Sequence, residues 1–526
     1  MLTLAMPVVL AELGWMTMGM VDTLMVGRLG PEAIGAVGVG SSLFMGIVIF
    51  AMGLMLGLDA LVSRAFGAGD LEACHRWLVH GVTLALVVSL PFMLVLFQIG
   101  GALEGWGLAP SVLALTRPYL DALTWSVPPL LLYSAFRRYL QGMGVVKPIM
   151  IALAAANVVN LLGNWILIYG HVGAPAMGVR GSAWATVLAR MIMAALLLVV
   201  ILVRERGRRP GLFETPLRVE APLMRRLIAL GLPAASQITL EVGVFASATA
   251  LAGRLPPAAL AAHQIALNIA AFTFMVPLGV ASAAAVRVGH AVGRRDLEAA
   301  SRSGWTAIVV GVTFMMCSAL SFLLVPRALI GGFTSDAAVM AIGVRLLTVG
   351  AVFQLFDGVQ AVATGALRGL GDTRTAMIWN LAGHWFVGLP LGYVLCFGVG
   401  VGVVGLWWGL TSGLVICGIS LLIAWSRRIA AAPGLLSGAD RRHPRMADQN
   451  RGIDDTSVPQ EENAGQRQSD ATPDLVGGRE IAPTEMSDRA DGRGSDANGT
   501  PAFDEVEGEQ RRKLYEKGAT LVSKID

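Results

Sequence analysis

The sequence predicts an all-helical protein that crosses a membrane twelve times, with its helices grouped into two lobes of six. The first observation is composition: hydrophobic residues make up 55% of the 526 residues and charged residues only 14%, whereas soluble proteins carry roughly 25% charged residues. The second is a series of long apolar stretches. The third is a sequence layout that occurs twice, at an offset of about 226 residues, as from Pro7 to Pro233.

The apolar stretches are long enough for transmembrane helices, which need roughly 20 residues to cross a hydrocarbon core of about 30 Å. Gly and Pro are frequent inside them, as membrane helices tolerate. They are too long and too uniformly apolar for the alternating segments of roughly ten residues found in membrane barrels. The twelve predicted helices span 2–26, 35–61, 78–99, 113–139, 147–170, 180–203, 226–252, 259–284, 304–326, 339–366, 375–397 and 402–425.

The repeated landmarks keep nearly the same spacing along both halves of the chain, which indicates two homologous halves. Each half has an even number of predicted helices, so the halves point the same way as parallel repeats. Transporters are often built from such repeats, with the substrate site between them. The matching landmarks are Gly27–Leu29 with Gly253–Leu255, Asp70–Ala73 with Asp296–Ala299, and Leu140–Gly144 with Leu367–Gly371.

The distribution of lysine and arginine predicts the orientation. Twenty of these residues fall in the loops on the side of the N-terminus and four in the loops on the other side. Because positive charge is retained in the cytoplasm, both termini are predicted to be cytoplasmic. The predicted domains are a first lobe at 1–203, a basic cytoplasmic linker at 204–225, a second lobe at 226–430 and a polar tail at 434–526.

The composition changes after Pro433 to a segment rich in Asp, Glu, Arg, Gly, Ser and Pro. It cannot bury enough apolar surface to offset the entropy of ordering, so we predict a disordered cytoplasmic tail with at most a short helix near 505–523. Elsewhere, four scattered cysteines suggest neither a disulfide framework nor a metal cluster. The glycine-rich loops lack a Walker lysine pattern. We therefore expect no enzyme, no cofactor and no nucleic-acid partner.

Acidic residues inside predicted helices are the informative ones. Glu241 and Asp357 lie near the middle of the seventh and tenth helices, Asp22 in the outer part of the first, and Glu12 deeper in it. A charged acid at mid-membrane costs roughly 2.5–3.5 kcal/mol. Such an acid can hydrogen-bond a neighbouring helix and only fix packing, or it can be functional. Glu241 and Asp357 can avoid this free-energy cost by holding a proton, by binding Na⁺ or by binding a cationic substrate.

Polar side chains on the same helices extend these candidate sites. Asn157, Asn160 and Asn164 recur on one face of the fifth helix. Gln354 and Gln360 flank Asp357 in the tenth helix, and Asn380 and His384 are four residues apart in the eleventh. Such side chains can simply hold helices together, or they can face a cavity. For His384 we favour a hydrogen-bonded packing role over a proton relay.

Several segments together resemble the multidrug and toxic compound extrusion (MATE) family over residues 1–430. This resemblance implies a V-shaped exporter with twelve helices in two lobes, in which influx of Na⁺ or H⁺ drives efflux of organic cations. The segments that carry it are MVDTLMVGRLGPEAIGAVG, SRAFGAGD, YLQGMGVVKPIM, GLPAASQITLEVGVF, LAAHQIALN, VRVGHAVGRRD and FDGVQAVATGALRGLGDTR.

The resemblance also implies residue roles. Asp22 is similar to the first-helix acid of the N-terminal lobe in this family, with Asn160 and Asn164 as its polar neighbours. Glu241 and Asp357 are similar to the acids of the C-terminal cation site. Some members carry a tyrosine one turn before the tenth-helix acid. This chain has Phe353 there, so one hydroxyl ligand for Na⁺ is absent.

The sequence therefore favours an inner-membrane antiporter working by alternating access. We expect Glu241, Asp357 and Asp22 to couple a cation or proton, with Na⁺ as one candidate at Glu241 and Asp357. We expect a substrate cavity and, as partners, small organic cations and lipids around a monomer. A flippase for lipid-linked saccharides is the alternative, although acids dominate here where anionic headgroups need basic residues. A membrane-embedded enzyme and a channel are weaker alternatives. The predicted cavity residues are Asn157, Asn160, Asn164, Phe353, Gln354, Gln360 and His384.

Overall fold

The computed structural model describes residues 1–103, 109–206, 212 and 218–439, and within these residues the secondary structure is helical throughout. The predicted tail beyond residue 439, including the helix proposed near 505–523, lies outside the described residues. So do residues 207–211 and 213–217 of the predicted linker. The last helix runs to Ala439, past the predicted end of the second lobe at residue 430.

Eight helices form the described part of the first lobe. Helix α4 begins at an N-cap, Asp70, whose side chain accepts a hydrogen bond from the Ala73 amide, and its repeat mate Asp296 caps α11 in the same way. The helices are α1 (Leu2–Gly27), α2 (Pro31–Leu54), α3 (Gly57–Gly67), α4 (Leu71–Ala102), α5 (Pro110–Thr124), α6 (Val127–Gly142), α7 (Lys147–Tyr169) and α8 (Val179–Glu205).

The second lobe repeats this order, with one segment of different geometry between α14 and α16. There the chain forms π-helix over Leu381–Gly388 and again over Val394–Gly398. The α-helices are α9 (Ala221–Ala252), α10 (Pro257–Gly293), α11 (Leu297–Leu324), α12 (Pro326–Gly331), α13 (Ala337–Gly369), α14 (Arg374–Asn380), α15 (Leu389–Tyr393) and α16 (Val403–Ala439).

Eleven of the twelve predicted spans correspond to helices that are long and apolar enough to cross a membrane. The remaining one, predicted at 113–139, is two shorter helices, α5 and α6, which meet at Trp125 and Ser126. Pro128 and Pro129 explain the break, because neither can donate the backbone hydrogen bond that would continue the helix across this point. Exposed apolar side chains such as Leu90, Phe272 and Phe386 cover the outer faces, as a lipid-facing surface requires.

The two lobes contact each other at the end of the bundle that carries the arginine-rich loops. Helix α3 packs on α10, α2 on α9, and the start of α1 on the second half of α10. Glycine makes these approaches close: a Cβ on Gly67 would lie 2.3 Å from the His290 carbonyl oxygen, and one on Gly293 would lie 2.2 Å from the Arg64 carbonyl oxygen. The lobes therefore meet backbone to backbone at the predicted cytoplasmic end.

Candidate functional site

The candidate site of the first lobe is built around Asp22 on α1, whose side chain is buried. One carboxylate oxygen accepts hydrogen bonds from the amides of Asn160, at 2.9 Å, and Asn164, at 2.7 Å, both on α7. The other oxygen accepts a hydrogen bond from the Thr186 hydroxyl on α8, at 2.9 Å. Side chains from three helices thus meet at one carboxylate, which accepts three hydrogen bonds.

A buried arginine adds a positive charge close to this carboxylate. The Arg190 guanidinium lies over the rings of Phe44, at 4.7 Å from the centroid, and Trp15, at 5.8 Å. It is near enough to Asp22 for the two charges to attract. Cation–π contacts of this kind stabilise a guanidinium away from water. Thr186 was not predicted from the sequence, although its position one turn before Arg190 on the same helix was an available signal.

Asn157 does not join this cluster, although it shares a helix with Asn160 and Asn164. Its amide donates to the carbonyl oxygens of Leu153 and Gly14, both at 3.0 Å. The second of these bonds ties α7 to α1. Asn157 therefore holds two helices together at a point away from the Asp22 carboxylate.

Glu12, the weakest of the four acidic candidates, forms an ion pair with Arg137 on α6. The two side chains are 14% and 7% exposed. The charge of Glu12 is thus neutralised by Arg137, and the pair belongs to the packing of α1 against α6.

The candidate site of the second lobe contains two neighbouring carboxylates. Asp357 on α13 is buried, Glu241 on α9 is partly buried, and their charges are near enough to repel when both are ionised. The amides of Gln237 and Asn380 lie against the Glu241 carboxylate. Among the described residues, no lysine or arginine forms an ion pair with either acid. We call Glu241, Asp357, Asn380 and Gln237 the carboxylate layer.

An aromatic layer lies one helical turn away from the carboxylate layer, toward the predicted outer end. The Phe353 ring packs against Phe245, with centroids 6.0 Å apart, and against Trp407, at 5.5 Å. The His384 ring lies 6.4 Å from Phe245. Phe245, Phe353 and His384 are each four residues from a member of the carboxylate layer, so consecutive turns of three helices build the two layers.

Buried polar atoms without a hydrogen-bond partner in the described structure are numerous around these layers. They include both ring nitrogens of His384, both side-chain polar atoms of Asn380, and the amide oxygens of Gln354 and Gln360. The Gln354 amide nitrogen donates to the Thr273 hydroxyl on α10. Such groups cost about 1–3 kcal/mol each when they stay unpaired, and each one in a native structure calls for an explanation.

Comparison with known proteins agrees with this architecture. The MatE family model matches residues 7–166 and 233–394, which are the two repeats. A protein named as a probable multidrug resistance protein NorM in Mesorhizobium japonicum is 39% identical over 444 residues, covering 83% of this chain and 95% of that one. The NorM protein of Aliivibrio fischeri is 32% identical and covers 81% of this chain and 94% of its own length.

Solved structures share the fold. The crystal structure described as MATE in the bent conformation aligns with a TM-score of 0.75 and 20% identity, over 82% of this chain and 96% of that one. The eukaryotic MATE transporter AtDTX14 aligns with a TM-score of 0.73 and 21% identity, over 82% and 97% of the two chains. These proteins have the same two-lobe arrangement of helices. With its two matched repeats and its extensive identity to curated relatives, this chain belongs to the MatE family of multi-pass membrane transporters.

Proposed function

We propose that this protein exports organic cations across the cell membrane in exchange for an inward-moving H⁺ or Na⁺. The observation that carries the proposal is the pair of neighbouring carboxylates, Glu241 and Asp357, which have no basic partner among the described residues. Relatives named as multidrug resistance proteins support organic toxicants as the exported class.

The chemistry of the pair supports exchange. Two like charges in a low-dielectric interior cannot both stay ionised without a compensating cation. A proton, an inorganic cation and a cationic substrate can each supply that compensation. They exclude one another because each neutralises the same carboxylate charge. Exclusion of this kind couples the two fluxes: an ion arriving from outside displaces the cargo, and cargo arriving from the cytoplasm displaces the ion.

The contacts between the lobes support alternating access. Because they cluster at the arginine-rich end, which we infer to be cytoplasmic, the observed state is closed there and corresponds to an outward-facing state. Transport then requires the lobes to separate at this end. A ligand biases the two states only by its difference in affinity for them, and a hundredfold difference corresponds to about 2.7 kcal/mol.

The two lobes contribute unequally to this scheme. Asp22 already accepts three hydrogen bonds and lies near Arg190. A bound cation is therefore stabilised less at Asp22 than at Glu241 and Asp357. We infer that the second lobe holds the principal coupling site. Asp22 contributes a second carboxylate to substrate binding or to coupling, together with Asn160 and Asn164.

Replacement of the two acids tests the proposal. Glu241→Gln and Asp357→Asn each preserve shape and remove the charge, so we expect both to abolish efflux of ethidium from an efflux-deficient host while expression persists. Glu298→Gln is the matched control, because Glu298 is an exposed acid paired with Arg302 on the surface of α11. Efflux at the control level in both Glu241→Gln and Asp357→Asn would refute the assignment.

A further inference from the structure

Two buried histidines in the second lobe differ in what their rings bind. His263 on α10 has a partner at each nitrogen: Nδ1 lies 3.0 Å from the Trp407 indole nitrogen, and Nε2 lies 3.1 Å from the Thr249 hydroxyl. An indole N–H only donates, so Nδ1 is the acceptor and Nε2 carries the proton. The Thr249 hydroxyl donates to the Phe245 carbonyl oxygen and is free to accept from Nε2. His263 is thus a satisfied, neutral packing residue.

His384 has neither partner. Its side chain is 1% exposed, and neither ring nitrogen has a hydrogen-bond partner in the described structure. An imidazole buried in this way costs about 1–3 kcal/mol per unpaired group, and a phenylalanine would fill the space without that cost. The residue lies in the π-helical segment Leu381–Gly388, a geometry that is frequent at functional sites.

The position of His384 indicates a function for its unpaired ring nitrogens. The ring belongs to the aromatic layer, which lies between the carboxylate layer and the predicted outer end. The other members nearest to it, Phe245 and Phe353, offer no oxygen ligand to a metal ion and no group that exchanges a proton. His384 is therefore the member of this layer that can exchange a proton, and it lies on the outer side of the buried Asp357 carboxylate. Asn380, one turn further in on the same helix, lies near the Glu241 carboxylate.

We propose that His384 is the proton-transfer group between the outside and the Glu241–Asp357 pair, and that the proton is accordingly the coupling ion of this chain. A ring nitrogen takes a proton from the outer solution and becomes an imidazolium. The imidazolium then gives a proton to a carboxylate, which becomes a neutral carboxylic acid, and the ring returns to its neutral form. This inference deepens the proposed function and depends on it.

The same layer disfavours Na⁺. A sodium ion has to exchange its water ligands for protein oxygens, and the rings of Phe245, Phe353 and Trp407 supply none. A protonated His384 also repels it. Apart from arginines near the ends of the helices packed against the π-helical segment, the titratable groups on α9 and α16 are Glu241 and Cys417. The Cys417 thiol donates to the Trp379 carbonyl oxygen. Tyr393 on the adjoining α15 is 48% exposed and packs on Phe397, away from the ring.

The test compares His384→Gln with His263→Gln in proteoliposomes that accumulate ethidium under an imposed pH gradient or an imposed Na⁺ gradient. For His384→Gln we expect ethidium binding without a gradient to stay within about twofold of wild type, and transport driven by the pH gradient to fall about tenfold or more. The pH profile of transport should also flatten. His263→Gln should lower thermal stability and leave the pH profile unchanged.

Three outcomes would overturn the inference. The first is a His384→Gln variant with the wild-type rate and pH profile. The second is a wild-type protein that responds to a Na⁺ gradient alone, which would leave the proposed export function standing. The third is a wild-type protein that moves no ethidium under either gradient, which would remove the proposed function as well. His384→Asn replaces His384→Gln if the larger amide does not fold.

Discussion

Arg368 of the second lobe forms an ion pair with the Asp59 carboxylate of the first lobe, with its Nε 3.3 Å from a carboxylate oxygen. Arg138, on the same lobe as Asp59, approaches the same carboxylate oxygen at 3.4 Å. The Asp59 side chain is fully buried. When the lobes separate, Arg138 stays in contact with Asp59. Of the two arginine contacts of Asp59, only the one with Arg368 is then broken.

Removal of this contact should favour the state that is open at the predicted cytoplasmic end. Loss of one partner from a buried ion pair costs roughly 3–5 kcal/mol, and Arg368→Gln should cost less than Asp59→Asn because Arg138 still compensates Asp59. Distances between spin labels at Glu72 and Arg294, in a background without native cysteines, should lengthen in both variants. Arg302→Gln, which breaks an exposed pair, is the control. Unchanged distances in Asp59→Asn would show that the contact does not hold the lobes together.

A methyl group at Gly67 should have a similar effect by a steric route. The added Cβ would lie 2.3 Å from the His290 carbonyl oxygen, and backbone on both sides prevents easy adjustment. We therefore expect Gly67→Ala to lengthen the same label distance and to slow ethidium efflux. Gly46→Ala on the preceding helix α2 is the control, since no atom lies within 4 Å of its Cβ position. Equal behaviour of the two variants would contradict the close contact described for Gly67.

Thr186→Val should destabilise the first lobe without changing the shape of the side chain. It removes one of three donors from the buried Asp22 carboxylate, and a lost hydrogen bond to a buried charged group costs about 1–3 kcal/mol. Thermal unfolding in detergent measures the effect. Thr23→Val on α1 is the control, because the Thr23 hydroxyl donates only to the Gly19 carbonyl oxygen. A larger loss of stability in the control would show that Thr186 does not support Asp22.

Phe353→Tyr should increase the response to Na⁺. The Phe353 ring lies one turn from Asp357, and a hydroxyl added to it brings an oxygen ligand toward the carboxylate layer. A ligand that contributes about 1.4 kcal/mol would tighten Na⁺ binding tenfold. The measurement is ethidium uptake into proteoliposomes under a Na⁺ gradient, with Phe245→Tyr as the control on the facing helix. No gain in Phe353→Tyr over Phe245→Tyr would mean that the missing hydroxyl does not set the ion preference.

Much of the helical architecture was predictable because hydropathy and the internal repeat are strong signals. The span predicted at 113–139 was wrong as a single helix, although Pro128 and Pro129 were visible in the sequence and lack the N–H groups that a continuous helix needs. The span predicted at 35–61 is likewise divided, into α2 and α3. Helix α9 begins at Ala221, before its predicted start at residue 226, because apolar length marks the membrane-buried part of a helix and leaves its ends undefined.

The sites were only partly predictable. The spacing of Asn160 and Asn164 placed both on one face, and both do contact Asp22, but the same spacing included Asn157, which binds backbone instead. Arg138 and Arg368 were counted as signals of orientation. Their shared contact with Asp59 depends on how the two lobes pack, and periodicity along a single helix contains no information about that.

The π-helical geometry at Leu381–Gly388 has a consequence for how this family can vary. The i→i+5 hydrogen bonds of a π-helix place more residues in each turn than an α-helix does, so such a turn accommodates an extra residue that regular geometry would exclude. Deleting one residue between 385 and 388 would convert the turn to α-helix. The helix on either side would keep nearly its present orientation, because the extra residue is absorbed within the π turn, whereas a deletion in regular α-helix would rotate one side by about 100° relative to the other. A change of length is thus tolerated at this place with the side chains of the neighbouring turns still in position.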